Sequence, residues 1–300
     1  MKKYLFLAAA LTVMGCGMTS CSSDAEDVIE QNEQAPKLTK LVFTVAQDAE
    51  TRVKWDGPNG RTPMFENNDE VSLFSANNDN VKLTAHVADG VVTLEGVGAA
   101  DEELYFVYPW NEGVHMDMGT KKITSTTAPA YNINKTANEW PNYGKFLSSV
   151  YGINKYPANA LSLAKSTDGG RVALTFKGLM AIIKFTPTYD DYATYFSDLN
   201  ISIYQDSDSD TSFNGGQLTI NAAGETPTIE STQNTYGIDF CKEGAGTFVV
   251  GNTYYVALPP TDAMSSTTYI RDEFGDNLTQ SVLSAGFTFE AGKVYNVTNQ

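Results

Sequence analysis

The chain has 300 residues, with 20 Lys and Arg against 36 Asp and Glu and two His, and a net charge of −16. A surface of that sign repels phosphate backbones and sets nucleic acid aside as a partner. Hydrophobic residues at 42% and aromatics at 11% are enough to fill packed cores, so the chain is not a disordered one.

The chain opens with Lys2 and Lys3, an apolar stretch from Tyr4 to Met14, and then the small residues Gly15, Cys16, Gly17, Thr19 and Ser20. Basic start, short apolar middle and small-residue exit form the pattern of an export signal. The apolar part is about eleven residues, whereas a membrane-crossing helix needs about 20. Residues 1–20 are therefore expected to direct export and to be removed. The segment resembles a bacterial lipoprotein signal, in which a small residue precedes a cysteine that becomes lipidated. Cys16 and Cys21 compete for that role, and Cys21 is preferred because the acidic "SSDAED" follows it at once. Such a run resembles the surface-export tag of some Gram-negative lipoproteins. Acyl chains on Cys21 would hold the protein in the outer membrane and then at the cell surface, at about 0.8 kcal/mol per buried CH₂.

Without residues 1–20 the chain keeps 280 residues, which suggests two domains of ordinary size, and its net charge becomes −18. Beyond the signal, Cys241 is the only thiol apart from the lipidation candidate, so no internal disulfide forms and packed cores must supply the stability. In "GIDFCKEG", with no histidine nearby in sequence, Cys241 reads as a small buried side chain rather than a nucleophile.

Residues 21–37 are acidic and amide-rich, a flexible tether. A strand is expected over 38–46, where Leu41, Phe43 and Val45 alternate with Val42 and Thr44. "VKLTAHV" (81–87) places Val81, Leu83, Ala85 and Val87 on one face and Lys82, Thr84 and His86 on the other. Asp89-Gly90 then supplies the positive φ angles of a tight hairpin turn into "VVTLEG". "ELYFVYPW" (103–110) is a strand that ends at a proline. Residues 111–168 are polar, contain Pro129, Pro141 and Pro157, and lack a sustained period. They read as irregular loops with room for a short helix. Asp168-Gly169-Gly170 marks a boundary, followed by strands at 171–176, 179–186, 200–204, 215–220, 253–260, 286–290 and 293–298. No repeat of 20–50 residues is visible. The chain thus reads as all-β, with two antiparallel β-sandwich domains in tandem over 38–169 and 170–300.

Little in the sequence speaks for an enzyme. His86 lies on the polar face of its strand, and His115 has no partner at metal-ligand spacing. Zincin, nucleophile-elbow, phosphate-loop and paired-cysteine motifs are all missing from the sequence, so no catalytic residue, cofactor or metal is assigned. "DSDSD" (206–210) fails as an EF-hand, because the sixth and twelfth positions hold Thr211 and Gln217 rather than Gly and Glu. An acidic surface turn is the reading there, with a looser calcium site left open. Tyr105, Tyr108, Trp110, Tyr131, Trp140 and Tyr143 could form a sugar-stacking patch, although aromatics in a domain of this size are mostly core.

Taken in order, the pieces resemble the fimbrillin family, the type V pilins. The likeness is carried by the lipoprotein signal and acidic linker, "KLVFTVAQ" closed by "TRVKW" (51–55), and "FENNDEVSLFS" (65–75). "LYFVYPW", "VALTFKGLMAIIKFT", "FNGGQLTI", "YYVALPP" and the terminal "FEAGKVYNVT" continue it. The resemblance implies two transthyretin-like β-sandwich domains and a fimbrial subunit that supports adhesion. Its partners would be other fimbrial subunits, the outer membrane through the lipid, and a host or bacterial surface ligand.

In polymerising members of the family a protease cuts after an arginine that follows the first strand. The strand leaves, and a strand of the next subunit fills its groove. Arg52 matches that position, with Val53 as the new N-terminus; Arg61 is poorer, because Pro63 follows it. By the same analogy the donor comes from the C-terminal region, where Val294, Tyr295 and Val297 are the candidates. Stalk, anchor and tip subunits share the fold, and some keep their first strand. The alternative is a monomeric surface lipoprotein that binds glycans through its aromatic residues.

Overall fold

The computed structural model describes residues 36–46, 65–125, 144–146, 161–186, 200–205, 213–235, 237–241, 254–266, 268–272 and 281–298. All regular structure among them is β. The strands are β1 (Leu38–Val45), β2 (Glu70–Ser75), β3 (Asn78–Ala88), β4 (Val91–Ala99) and β5 (Leu104–Tyr108). Next come β6 (Val114–Asp117), β7 (Lys122–Ser125), β8 (Gly144–Phe146), β9 (Ser162–Ser166) and β10 (Lys177–Gly178). They are followed by β11 (Ala181–Thr186), β12 (Asn200–Gln205), β13 (Phe213–Asn221), β14 (Thr228–Thr235) and β15 (Gly237–Cys241). The last are β16 (Tyr254–Leu258), β17 (Thr268–Asp272), β18 (Ser281–Leu283) and β19 (Val294–Thr298).

These strands form a seven-stranded sheet in the order β1-β4-β3-β2-β5-β9-β10 and a four-stranded sheet β14-β13-β7-β6. A three-stranded sheet β16-β11-β19 and a five-stranded sheet β18-β17-β12-β15-β8 complete the set. Pairing is antiparallel except between β11 and β19 and between β15 and β8. The all-β, antiparallel reading of the sequence holds.

Side-chain alternation explains how the large sheet is covered. On β1, β3 and β4 one face is turned to the core and the other faces water, with Leu38 and Val42 of β1 and Val91 and Val97 of β4 exposed there. β2 and β5 differ, because both their faces are buried. Val71 and Leu73 on β2, with Leu104, Phe106 and Tyr108 on β5, enter one core together with Leu41, Phe43, Leu83, Leu94 and Phe176. Phe74, Tyr105 and Val107, one residue out of phase, enter a second core with Val114, Ile123, Leu163, Ile182, Leu218 and Leu258. That second core draws on residues from both sides of the Asp168-Gly169-Gly170 turn. Strand pairing spans the turn too, since β10 joins β9, β7 joins β13 and β8 joins β15.

The tight hairpin is present where expected, with Asp89 at φ 49° and Gly90 at φ 77° between β3 and β4. Three sequence expectations are corrected. Residues 111–168, read as irregular loops, contain the β6–β7 hairpin and β9. The hairpin turns on Asp117, whose carboxylate accepts bonds from the Gly119 and Thr120 amides and the Thr120 hydroxyl. Strands of four residues are too short to show a period. Residues 171–176, read as a strand, make one isolated parallel bridge between Leu174 and Val45. Residues 286–290, also read as a strand, run without a ladder. Their carbonyls at Phe287 and Phe289 accept the amides of Met264 and Thr261. Phe287, Phe289 and Tyr295 meet edge to face at centroid distances of 5.0–5.5 Å.

Candidate strand-exchange site

β1 pairs with β4 along its whole length, from Leu38 opposite Ala99 to Val45 opposite Val92. Its inward residues Leu41, Phe43 and Val45 are 8%, 3% and 5% exposed, while outward Leu38 and Val42 are 62% and 52% exposed. This is the alternation read from 41–45, and it makes β1 an apolar plug for its own sheet. On the opposite edge, among the described residues, the β1 backbone bonds only to residue 174. The Leu174 amide donates to the Thr44 carbonyl and the Ala46 amide to the Leu174 carbonyl, both at 2.7 Å. β1 is therefore the edge strand of the seven-stranded sheet, attached along one side and pinned at one end of the other.

The groove that receives β1 is shaped to it. Phe43 stands edge-on to Phe106, ring centroids 4.9 Å apart, on a floor shared with Leu73, Leu83 and Leu94. Gly170, at φ +73°, lies against the Phe43 ring, where a Cβ would collide with it. Burying three such side chains contributes on the order of 5–9 kcal/mol at about 1.5–3 kcal/mol each. A whole domain has a net stability of roughly 5–15 kcal/mol. The first strand thus carries a share comparable to the entire margin.

At the other end of the groove, a buried amide holds the last residue of β4. Asn78 accepts the Ala99 amide at 2.8 Å and donates to the Ala99 carbonyl at 2.9 Å and to the Ser75 hydroxyl at 2.6 Å. Ser75 donates in turn to Asp101, which also accepts the Asn77 amide and side chain. Burial pushes the Asp101 carboxyl up, but the bonds from Ser75 and Asn77 outweigh it and leave its pKa lowered. A lowered folded-state value means stability that is present above the ordinary aspartate value of 3.8 and is lost as pH falls below it. In thermal melts followed between pH 6 and pH 2, Asp101→Asn is expected to show a shallower fall in Tm than the parent. Sequence reading missed this network. The polar run Ser75 to Asn80 was its only trace, and nothing local pairs it with Asp101.

Other residues singled out in the sequence fall as follows. Cys16, Cys21, Arg52, Val53, Arg61 and the acidic run 206–210 lie outside the described residues, as do Tyr131, Trp140 and Tyr143. Cys241 ends β15 opposite Asn200. Val294, Tyr295 and Val297 sit on β19, opposite Ile182, Ile183 and Phe185 of β11. β19 is an edge strand of its sheet, with Val294 and Tyr295 half-buried. The Tyr295 hydroxyl accepts the Glu290 amide at 2.8 Å and donates to the Thr288 carbonyl at 3.2 Å. Tyr105 and Tyr108 are buried. Trp110 is half-buried, with the Lys82 ammonium 3.5 Å above its ring and paired with Glu70 at 2.9 Å. These three aromatics therefore form no open stacking platform. His86 is exposed, as its strand face required. The His115 Nδ1 is 2.8 Å from Asp79 at the surface. Among the described residues no three His, Cys, Asp or Glu side chains are grouped to hold a metal ion.

Fold and site together define an all-β protein whose first strand is an edge strand plugging its own core. No protein-family model matches the chain, and no curated protein matches it. Solved structures similar to it include a proposed cell adhesion protein of Bacteroides uniformis, at 14% identity over 78% of this chain and 88% of that one, with a TM-score of 0.45. A proposed cell adhesion protein of Bacteroides ovatus is 15% identical over 80% and 87%, with a TM-score of 0.44. A fimbrial assembly protein of Parabacteroides distasonis is 10% identical over 88% and 90%, with a TM-score of 0.34.

Proposed function

We propose that the chain is a structural subunit of cell-surface fimbriae, exported as a lipoprotein through Cys21 and assembled by donor-strand exchange. The observation that carries this reading is β1 itself. It is an edge strand, its three inward side chains fill the groove of its own core, and Arg52 follows it in the sequence. Cutting after Arg52 removes the covalent tether. A strand of a neighbouring subunit with the same alternation then replaces β1, supplying the same ladder to β4. The C-terminal segment bearing Val294, Tyr295 and Val297 is the donor. β19 is an edge strand of its own sheet, and in leaving it gives up its ladder to β11, the Tyr295 hydroxyl bonds to Glu290 and Thr288, and the Tyr295 ring contacts with Phe287 and Phe289. The aromatic geometry supports the polymer over the glycan-binding monomer, since Tyr105 and Tyr108 are interior and one face of Trp110 is covered by Lys82.

The test is purified precursor treated with an Arg-specific protease and followed by size-exclusion chromatography. Intact protein and the Arg52→Ala variant are expected to stay monomeric, and the cut protein to form a ladder of heat-resistant oligomers. Clean cleavage after Arg52 that yields only monomers, where a known stalk fimbrillin polymerises, overturns the reading. The N-terminus of the mature surface protein, acylated Cys21 or Val53, reports the processing directly.

A further inference from the structure

Between Ser166 at the end of β9 and Phe176, the chain crosses the open edge of β1 without joining the sheet. Its path is set by one carboxylate. Asp168 accepts the Ser166 hydroxyl at 2.6 Å, the Gly170 amide at 3.1 Å and the Val172 amide at 3.1 Å. Ser166 also accepts the Gly170 amide, at 2.8 Å, and the Gly169 amide donates to the Glu102 carbonyl at 2.9 Å. The Ser166 hydroxyl first, and then the Val172 and Gly170 amides, hold the Asp168 carboxyl below its usual range. So arranged, Gly170 is pressed to the Phe43 ring, Leu174 bridges Thr44 and Ala46, and Leu174 and Phe176 are buried in the same core as Leu41, Phe43 and Val45.

We infer that residues 168–176 form a latch over β1, that Asp168 is its positioning residue, and that β1 leaves its groove only when the latch opens. The physical reason is geometric. β4 holds one edge of β1, and the latch holds the Thr44–Ala46 end of the other and covers Phe43, the most buried of the three plug side chains. Peeling β1 away from that end requires the two bonds to Leu174 to break first. In the function proposed above, on which this part rests, the latch sets the rate of strand exchange after cleavage, so the cut protein stays monomeric until it opens.

Hydrogen exchange on the intact chain, read by mass spectrometry, tests the latch without any cleavage. Asp168→Ala is expected to quicken exchange at least about tenfold in residues 38–46 as well as in 168–176, the equivalent of losing a charge-assisted bond. Residues 104–108 are expected to keep the parent rate. Asp168→Asn, which retains one acceptor oxygen, is expected to fall between Ala and parent. Gly170→Ala, which pushes on Phe43, is expected to quicken 38–46 with Asp168 intact. If only 168–176 quickens in Asp168→Ala, the segment is an ordinary loop and the inference fails. Uniform quickening that includes 104–108 overturns it too, because the effect is then global. Absence of polymer after protease treatment would count against the fimbrial reading and leave this result standing.

Discussion

A chain that begins at Val53, and so lacks β1, is expected to lose its cooperative melting transition and to regain it when a synthetic peptide of residues 36–46 is added. The first core would be opened along Leu41, Phe43 and Val45, leaving Phe106, Leu83 and Leu94 facing a water-filled groove. The lost burial is on the order of 5–9 kcal/mol, against a net domain stability of roughly 5–15 kcal/mol. The carbonyls and amides of β4 that faced β1 would lose their ladder as well. The peptide restores both contributions, and because it binds only the folded form it stabilises by mass action. A peptide with Leu41 and Phe43 both replaced by Ser is expected to give no rescue, as it keeps the backbone bonds but not the plug. Calorimetry with and without each peptide decides the matter. A Val53 chain that melts cooperatively at the parental temperature would show that β1 is a dispensable edge.

Within the intact chain, Phe43→Ala is expected to cost about 3–5 kcal/mol, the range for truncating a fully buried aromatic side chain. The value should lie high in that range. Phe43 is held from three directions, by Phe106 below, by Leu41 and Val45 alongside, and by Gly170 above, so the cavity has little freedom to collapse. A double-mutant cycle with Phe106→Ala is expected to return a coupling of about 0.5–1.5 kcal/mol for the edge-to-face pair. Val42→Ala, one residue away on the outer face, is the control, with an expected effect within about 0.5 kcal/mol. Chemical denaturation of the parent and the four variants measures all these quantities. Equal losses at 42 and 43 would mean that β1 does not plug the core in solution.

Local patterning determined a good part of this protein. The alternation at 41–45 and 81–87 set which side chains of β1 and β3 face inward, because successive Cβ atoms of a strand point to opposite faces whatever its partner. Asp89-Gly90 determined a hairpin, because both positions take positive φ and glycine does so at no steric cost. The buried half of the candidate site, Leu41, Phe43 and Val45, was legible for the same reason.

What a strand does with its hydrogen-bonding edges was not legible. β1 could have stood in the centre of a sheet or at its margin with the same sequence, and only the order of strands placed it at the edge. Residues 171–176 have strand-like composition, yet they run as a latch, since they meet β1 at a single bridge and turn away. Residues 286–290 also have strand-like composition, yet they make scattered bonds to residues 261–264 rather than a ladder. β2 and β5 carry apolar residues on both faces because a second core, assembled from segments as distant as Val114 and Phe289, covers the other side of the sheet. Burial direction is a property of the residue and its neighbours in sequence. Pairing and enclosure depend on contacts between segments far apart in the chain, which only the folded structure supplies.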